Sequence, residues 1–288
     1  MEKPNRKKII LKAISDAYKL RIQAERDLYE SICVYDLAES LGVEVRFYDL
    51  PSMEGMYYHS IKPHIILSSL RPLGRRSFTC AHELGHYCQR AGTKVDELVE
   101  NWGDNPQSDP KELAADCFAG ALLMPKTAVE RAFAIRNWSI AECTPDQIYI
   151  ISNYFGVGYT TLIYHLNTSL SLITKLHADR LLKTKLRQAQ ALALGWKTSK
   201  TIWIVDRYWT GRPIDIEVGD YVFVRGKSIF EGICMELAEI RVDGILYCAV
   251  QPGLGRLDDQ SEWSSFVRVS RKNFVGRSIF RHLEEENI

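Results

Sequence analysis

The sequence predicts an α+β protein: a helical and short-stranded N-terminal part, a helical middle, and a small β-rich C-terminal domain. Three observations predict it. From about Pro4 to Leu41 apolar residues recur at helical spacing. Between Val43 and Ser69 they alternate with polar ones, as half-buried strands do. After Lys200 the runs TIWIVD, YVFVRG, ILYCAV and SFVRVS follow one another, separated by Gly, Pro and Asp.

The elements fall out in order. Ile9, Leu11, Ile14, Ala17 and Tyr18 share a broad face of a first helix. A second helix, around Tyr35 to Leu41, stops at Gly42, a residue suited to a helix end. Val43, Val45 and Phe47 form a strand, and GMYYHS (Gly55 to Ser60) and HIILSS (His64 to Ser69) form two more. A helix follows from Arg75 to about Arg90. Ala91 to Pro110 reads as a polar loop, and Asp109 and Pro110 as the cap and first turn of a helix reaching Leu123. Another helix fits Lys126 to Ile135. PDQIYIISNYFGVGYTTLIYHL reads as two short helices about a turn at Gly156. A longer helix spans about Lys175 to Leu194 and closes at Gly195. These breaks predict three domains, 1–140, 141–199 and 200–288.

Composition narrows the function. Of 288 residues 46% are hydrophobic and 25% charged, as in an ordinary globular protein. A net charge of +1 supplies no global field for nucleic acid or an anionic membrane. No apolar run reaches membrane-spanning length. The start, MEKPNRKKIILKAISDAYK, is not a secretory signal, since it meets Asp16 without a cleavage-site pattern. Seven scattered cysteines suit reduced thiols in a cytoplasm better than disulfides.

The chemistry concentrates in FTCAHELGHYCQ, Phe78 to Gln89. On a helix, His82 and His86 lie roughly 40° apart on one face, so both imidazoles reach a single ion. Glu83 is about 100° round from His82, close enough to reach a water on the ion without displacing it. This is the HExxH arrangement: two metal ligands and a general base, which takes the water's proton and passes it to a leaving amine. The bland alternative is a surface helix with Leu84 and Tyr87 packing and both histidines in water. Cys80 and Cys88 are each about 200° from the nearer histidine and point to the back, so they are packing residues. The remaining histidines have no paired spacing.

A catalytic zinc needs a third protein ligand. In KELAADCFAGALLMP, Glu112 and Asp116 share a helical face, and Ala115 and Ala119 beside them permit close helix approach. Glu112 would ligate the ion, and Asp116 would accept a hydrogen bond from the far nitrogen of His82. Cys117, one position beyond, reads as packing. The strand HIILSS, running almost directly into the metal helix, is the candidate edge strand for an extended peptide. Tyr57, Tyr58 and His59 are candidate oxyanion donors, although strand alternation lets only some of them face the cleft, and packing explains them equally well.

AHELGH followed by ELAADCFAGALLMP resembles the ImmA/IrrE family of bacterial and phage metallopeptidases, over roughly Lys8 to Leu166. His82 and His86 match that family's zinc positions, Glu83 its base, Glu112 its third ligand and Asp116 the position after the Ala. The resemblance implies a zincin-like metallopeptidase core, with zinc, or manganese in its place. It also implies cleavage of a helix-turn-helix repressor in a stress-response or mobile-element switch. The segment after Thr144 is similar to the helix-turn-helix-like unit that follows the core in radiation-response members. Its second helix, Tyr159 to Leu166, carries no Arg or Lys, which favours packing or substrate docking over direct DNA binding. The tail departs from those members, whose last domain resembles a GAF sensor. A reading of another class, a non-catalytic repressor- or DNA-binding scaffold with a retained metal site, leaves the base Glu83 without a use.

Overall fold

The computed structural model describes residues 6–89, 94–97 and 109–283. The chain forms an α+β protein of two compact units. One comprises Met1–Val129 and Val275–Ser278, the other Glu130–Phe274 and Ile279–Ile288. The helical segment 141–199 and the strands between residues 202 and 270 therefore share one unit. Among the described residues no helix is long and apolar enough to cross a membrane.

The first unit opens with α1 (Arg6–Gln23) and α2 (Val34–Ser40). The buried stripe of α1 is Ala13, Ala17, Leu20 and Arg21, while Leu11 is 58% exposed. The face expected from the larger apolar residues is thus displaced. Small side chains let α1 lie directly on α4 (Pro110–Leu123), and Arg21 donates to the carbonyls of Leu122 and Leu123 at 2.7 and 3.4 Å.

A five-stranded sheet follows, of β1 (Glu44–Tyr48), β2 (Met53–Tyr58), β3 (His64–Ser68), β4 (Lys94–Glu97) and β13 (Gly276–Arg277), in the order β13-β1-β3-β2-β4. Two expectations are corrected here. β3 is no edge strand: it pairs with β1 in parallel and β2 in antiparallel fashion. Its Ile65 and Leu67 are fully buried, and the most apolar strand takes the middle of the sheet. The stretch read as an unbroken polar loop contains β4, the edge beside β2; the rest of that stretch, 91–93 and 98–108, lies outside the described residues.

Helix α3 (Leu73–Cys88) packs on β2 and β3 and against α4. The start of α4 is as read from sequence: Asp109 accepts a hydrogen bond from the Lys111 N–H at 2.8 Å, and Pro110 occupies the first turn. Helix α5 (Lys126–Ala134) follows.

The second unit contains α6 (Pro145–Phe155) and α7 (Tyr159–Tyr164), joined through Gly156 at φ +65°. The helix expected over Lys175 to Leu194 is two, α8 (Lys175–Lys183) and α9 (Leu186–Leu194). Thr184 and Lys185 have extended backbones between them, and the Gln188 side chain closes a new cap by accepting from Lys185 N–H at 3.0 Å. Strands β5 (Ile202–Val205), β7 (Tyr221–Arg225), β9 (Met235–Arg241) and β10 (Gly244–Ala249) form one sheet, in the order β5-β7-β10-β9. Strands β6 (Ile214–Glu217), β8 (Ile229–Gly232), β11 (Gly253–Asp258) and β12 (Ser264–Ser270) form another, in the order β6-β12-β11-β8. Tyr149 on α6 donates to the Ile202 carbonyl at 2.6 Å, and Asn153 accepts from the Ile204 N–H at 2.9 Å. These bonds tie the helical segment to β5.

Candidate metal centre

Helix α3 carries His82, Glu83 and His86 into the interior of the first unit, at 8%, 0% and 0% exposure. Its neighbour α4 comes unusually close because Gly85 has no side chain. A Cβ there would lie 3.3 Å from the Ala115 Cα and 3.1 Å from the Phe118 ring. Ala115 was legible as a small residue permitting close approach; Gly85, its partner across the interface, was not singled out.

That approach brings three atoms together. His82 Nε2 and His86 Nε2 are 3.1 Å apart, and Glu112 Oε2 lies 3.2 Å from the first and 3.6 Å from the second. Tetrahedral bonds of about 2.0–2.1 Å to a common ion require ligand atoms roughly 3.3 Å apart, so this triangle fits three corners of a zinc-sized coordination sphere. Among the described residues, His82, His86 and Glu112 are the group of metal-ligating side chains whose atoms converge in this way. Asp116 stands behind them: its Oδ1 is 2.9 Å from His82 Nδ1. With the Nδ1 proton donated to Asp116, Nε2 is the nitrogen that would face an ion. Burial disfavours a charged imidazole, but Asp116 and Glu112 outweigh it and hold the His82 pKa well above its ordinary value.

Of the three oxyanion candidates, Tyr57 is buried on the face of β2 that meets α3, its ring edge-on to Tyr87 with centroids 6.0 Å apart. Its hydroxyl is 3.1 Å from His59 Nδ1. Tyr58 alternates to the other face and is 47% exposed, so it is not brought to the metal helix. The cysteines do not join the cluster. Burial pushes the thiol of Cys88 up to about 12 and that of Cys117 up to about 11, keeping both protonated.

A comparison with known families concerns this part of the chain. Residues 38–167 match the IrrE N-terminal-like domain of the M78 peptidases. The IrrE-like region contains β1 to β4, α3 and α4, and runs through α6 and α7. Over these residues the chain is similar to a metallopeptidase-type domain, a family that implies a metal. No curated protein matches it. Among solved structures, a Mycobacterium tuberculosis transcriptional regulator is similar at 17% identity and a TM-score of 0.37, over 55% of this chain. The match spans 46% of that regulator's own length.

Proposed function

We propose that the protein is a zinc-dependent endopeptidase acting on a protein substrate in the cytoplasm. The observation that carries this reading is the convergence of His82 Nε2, His86 Nε2 and Glu112 Oε2 within 3.6 Å beside the buried Glu83. Zinc held there supplies an acidified water and polarises the scissile carbonyl. The remaining steps belong to the chain. Glu83 accepts a proton from the attacking water and delivers it to the leaving amine. Asp116 fixes the orientation of His82 through its Nδ1 proton. Tyr57, which packs on Tyr87 of α3, and His59, whose Nδ1 is 3.1 Å from the Tyr57 hydroxyl, would serve as donors toward the developing oxyanion. An extended peptide pairs with the edge strand β4, since β3 has no open edge.

The substrate class we favour is a helix-turn-helix repressor, on the strength of the IrrE-like match. The turn-linked pair α6 and α7 supports packing rather than direct DNA reading, because α6 is buried from Ile148 to Phe155 and α7 carries no basic residue. Free thiols at all seven cysteines suit a reducing compartment.

The test is an intact-mass assay of the zinc-loaded protein with the helix-turn-helix repressor encoded nearest its gene, run alongside Glu83→Gln. One discrete cut, abolished in the variant and by chelator, is expected. A variant that binds zinc and still cuts removes Glu83 from the role of base. A stable uncut complex with the unmodified protein points instead to a binding scaffold.

A further inference from the structure

Gly55 lies in β2, between β3 and β4, paired with Leu67 on one side and Asp96 on the other. Glycine weakens a strand interior and is kept there for a positive φ or for a close approach. The first reason does not apply, since Gly55 is not among the glycines of positive φ. The second does. A Cβ at Gly55 would overlap Thr79 Cγ2 and would sit 3.1 Å from Glu83 Oε1 and 3.4 Å from Glu83 Cγ. The bare backbone of β2 is therefore one wall of the space that holds the Glu83 side chain.

That wall is pinned on both sides of Gly55. Glu54 pairs with Arg75 at 2.7 Å, at the start of α3, and with Arg71 at 3.2 Å just before it. Tyr57 packs against Tyr87 near the other end of α3. The strand cannot retreat to make room for a methyl group without breaking these contacts and its pairing with β3 and β4. Thr79 Cγ2 must give way instead, and with it the Glu83 carboxylate by a few tenths of an ångström.

We infer that Gly55 is a positioning residue: its missing side chain forms the slot that sets the Glu83 carboxylate relative to His82 and His86. The inference rests on the proposed role of Glu83 as the base. Displacing a reacting group by about 1 Å can cost on the order of 100-fold in rate, so a shift of a few tenths of an ångström costs correspondingly less, whereas ion binding does not pass through Glu83.

Gly55→Ala, Thr79→Ser and the double variant separate the contacts, since Thr79→Ser removes the overlapping Cγ2 and leaves the Glu83 contact in place. For Gly55→Ala we expect one zinc per chain, KM for the repressor within about twofold, and kcat lower by roughly 5- to 10-fold. Cleavage by Gly55→Ala at the unmodified rate overturns the inference. Should Gly55→Ala not fold, the double variant is compared with Thr79→Ser alone: a lower kcat in the double variant supports the slot, and equal values overturn it. A crystal structure of the folded variant provides an arm independent of activity. A Glu83 carboxylate moved away from β2 supports the inference, and one in its original place overturns it, even if the unmodified protein cuts nothing and the peptidase reading itself fails.

Discussion

His82 commits both ring nitrogens, one to Asp116 and one to the point shared with His86 and Glu112. Two outcomes follow from that double commitment. Asp116→Ala removes the acceptor that orients the ring, so zinc affinity should fall by about 10–100-fold, measured by competition with a chromophoric chelator. Glu112→Ala should lower it further, because a ligand is lost outright. The second outcome concerns protons. The carboxylates hold the His82 pKa well above its ordinary value, so the metal-free protein carries an extra proton at neutral pH. An ion takes the place of that proton at Nε2. Zinc uptake should therefore release about one proton per site at pH 7, and affinity should rise with pH. Calorimetry in buffers of different ionisation enthalpy counts the proton; no release would mean that His82 is neutral before the ion arrives. At this scale the converging residues were legible, because a helix places i and i+4 on one face whatever surrounds it. The two glycines against which the site is built were not. Gly55 and Gly85 matter through what a Cβ would meet on another element, and local sequence does not record that.

The contact between α3 and α4 decides whether two motifs some 26 residues apart can share an ion, and Gly85 sets its closeness. Gly85→Val should overpack that contact against Ala115 and Phe118, costing about 1–3 kcal/mol in urea unfolding. It should also weaken zinc binding, by moving Glu112 away from the two histidines. A variant that lost stability but kept full zinc affinity would show that α4 tolerates displacement without moving its ligand. Elements with strong local signals were read at nearly their true bounds. Asp109 and Pro110 mark the start of α4, and Gly156 and Gly195 sit at positive φ where α6 and α9 end. Others had no such signal. β9, MELAEIR, is rich in helix-forming residues and is exposed from Glu236 to Ile240, so no buried alternation marks it as a strand. The break between α8 and α9 carries no Pro or Gly; it rests on a side-chain cap at Lys185 and Gln188. β3 showed its apolar pattern plainly, but its place in the centre of the sheet depends on partners far along the chain.

At the scale of the molecule the first unit is closed by residues from near the other end of the chain. β13 pairs with β1 through Arg46 and Phe47, and Arg277 reaches Glu44 at 3.4 Å and Glu39 at 3.5 Å. A two-residue strand so distant in sequence leaves no local trace. The second unit buries Asp215 among arginines: Arg268 binds it at 2.7 Å and Arg281 at 3.3 Å, with His282 at 3.7 Å. Burial, and then the neighbouring Arg281 charge, hold the His282 pKa down at about 3, against an ordinary 6.5. The imidazole is thus neutral in the folded unit while the unfolded chain takes up a proton below about pH 6.5. Between those two values the unfolded state binds more protons, so stability falls as pH falls, by up to roughly 1.4 kcal/mol per pH unit from this residue. Above pH 6.5 neither state is protonated and the residue contributes no slope. Asp215, held below the usual carboxylate range by Arg281 and Arg268 against the cost of burial, adds a further loss at still lower pH, below about 3.8. Trp138, Trp196, Trp203, Trp209 and Trp263, five of the six tryptophans, belong to this unit, so fluorescence reports mainly on its unfolding. Urea midpoints followed by tryptophan emission should be flat from pH 8 to 7 and fall from pH 6.5 to 5. His282→Gln should flatten the second range and leave the first unchanged. An equal acid slope in the variant would assign the loss to other groups and would mean that His282 is already charged in the folded unit, stabilised by Asp215 against the surrounding arginines.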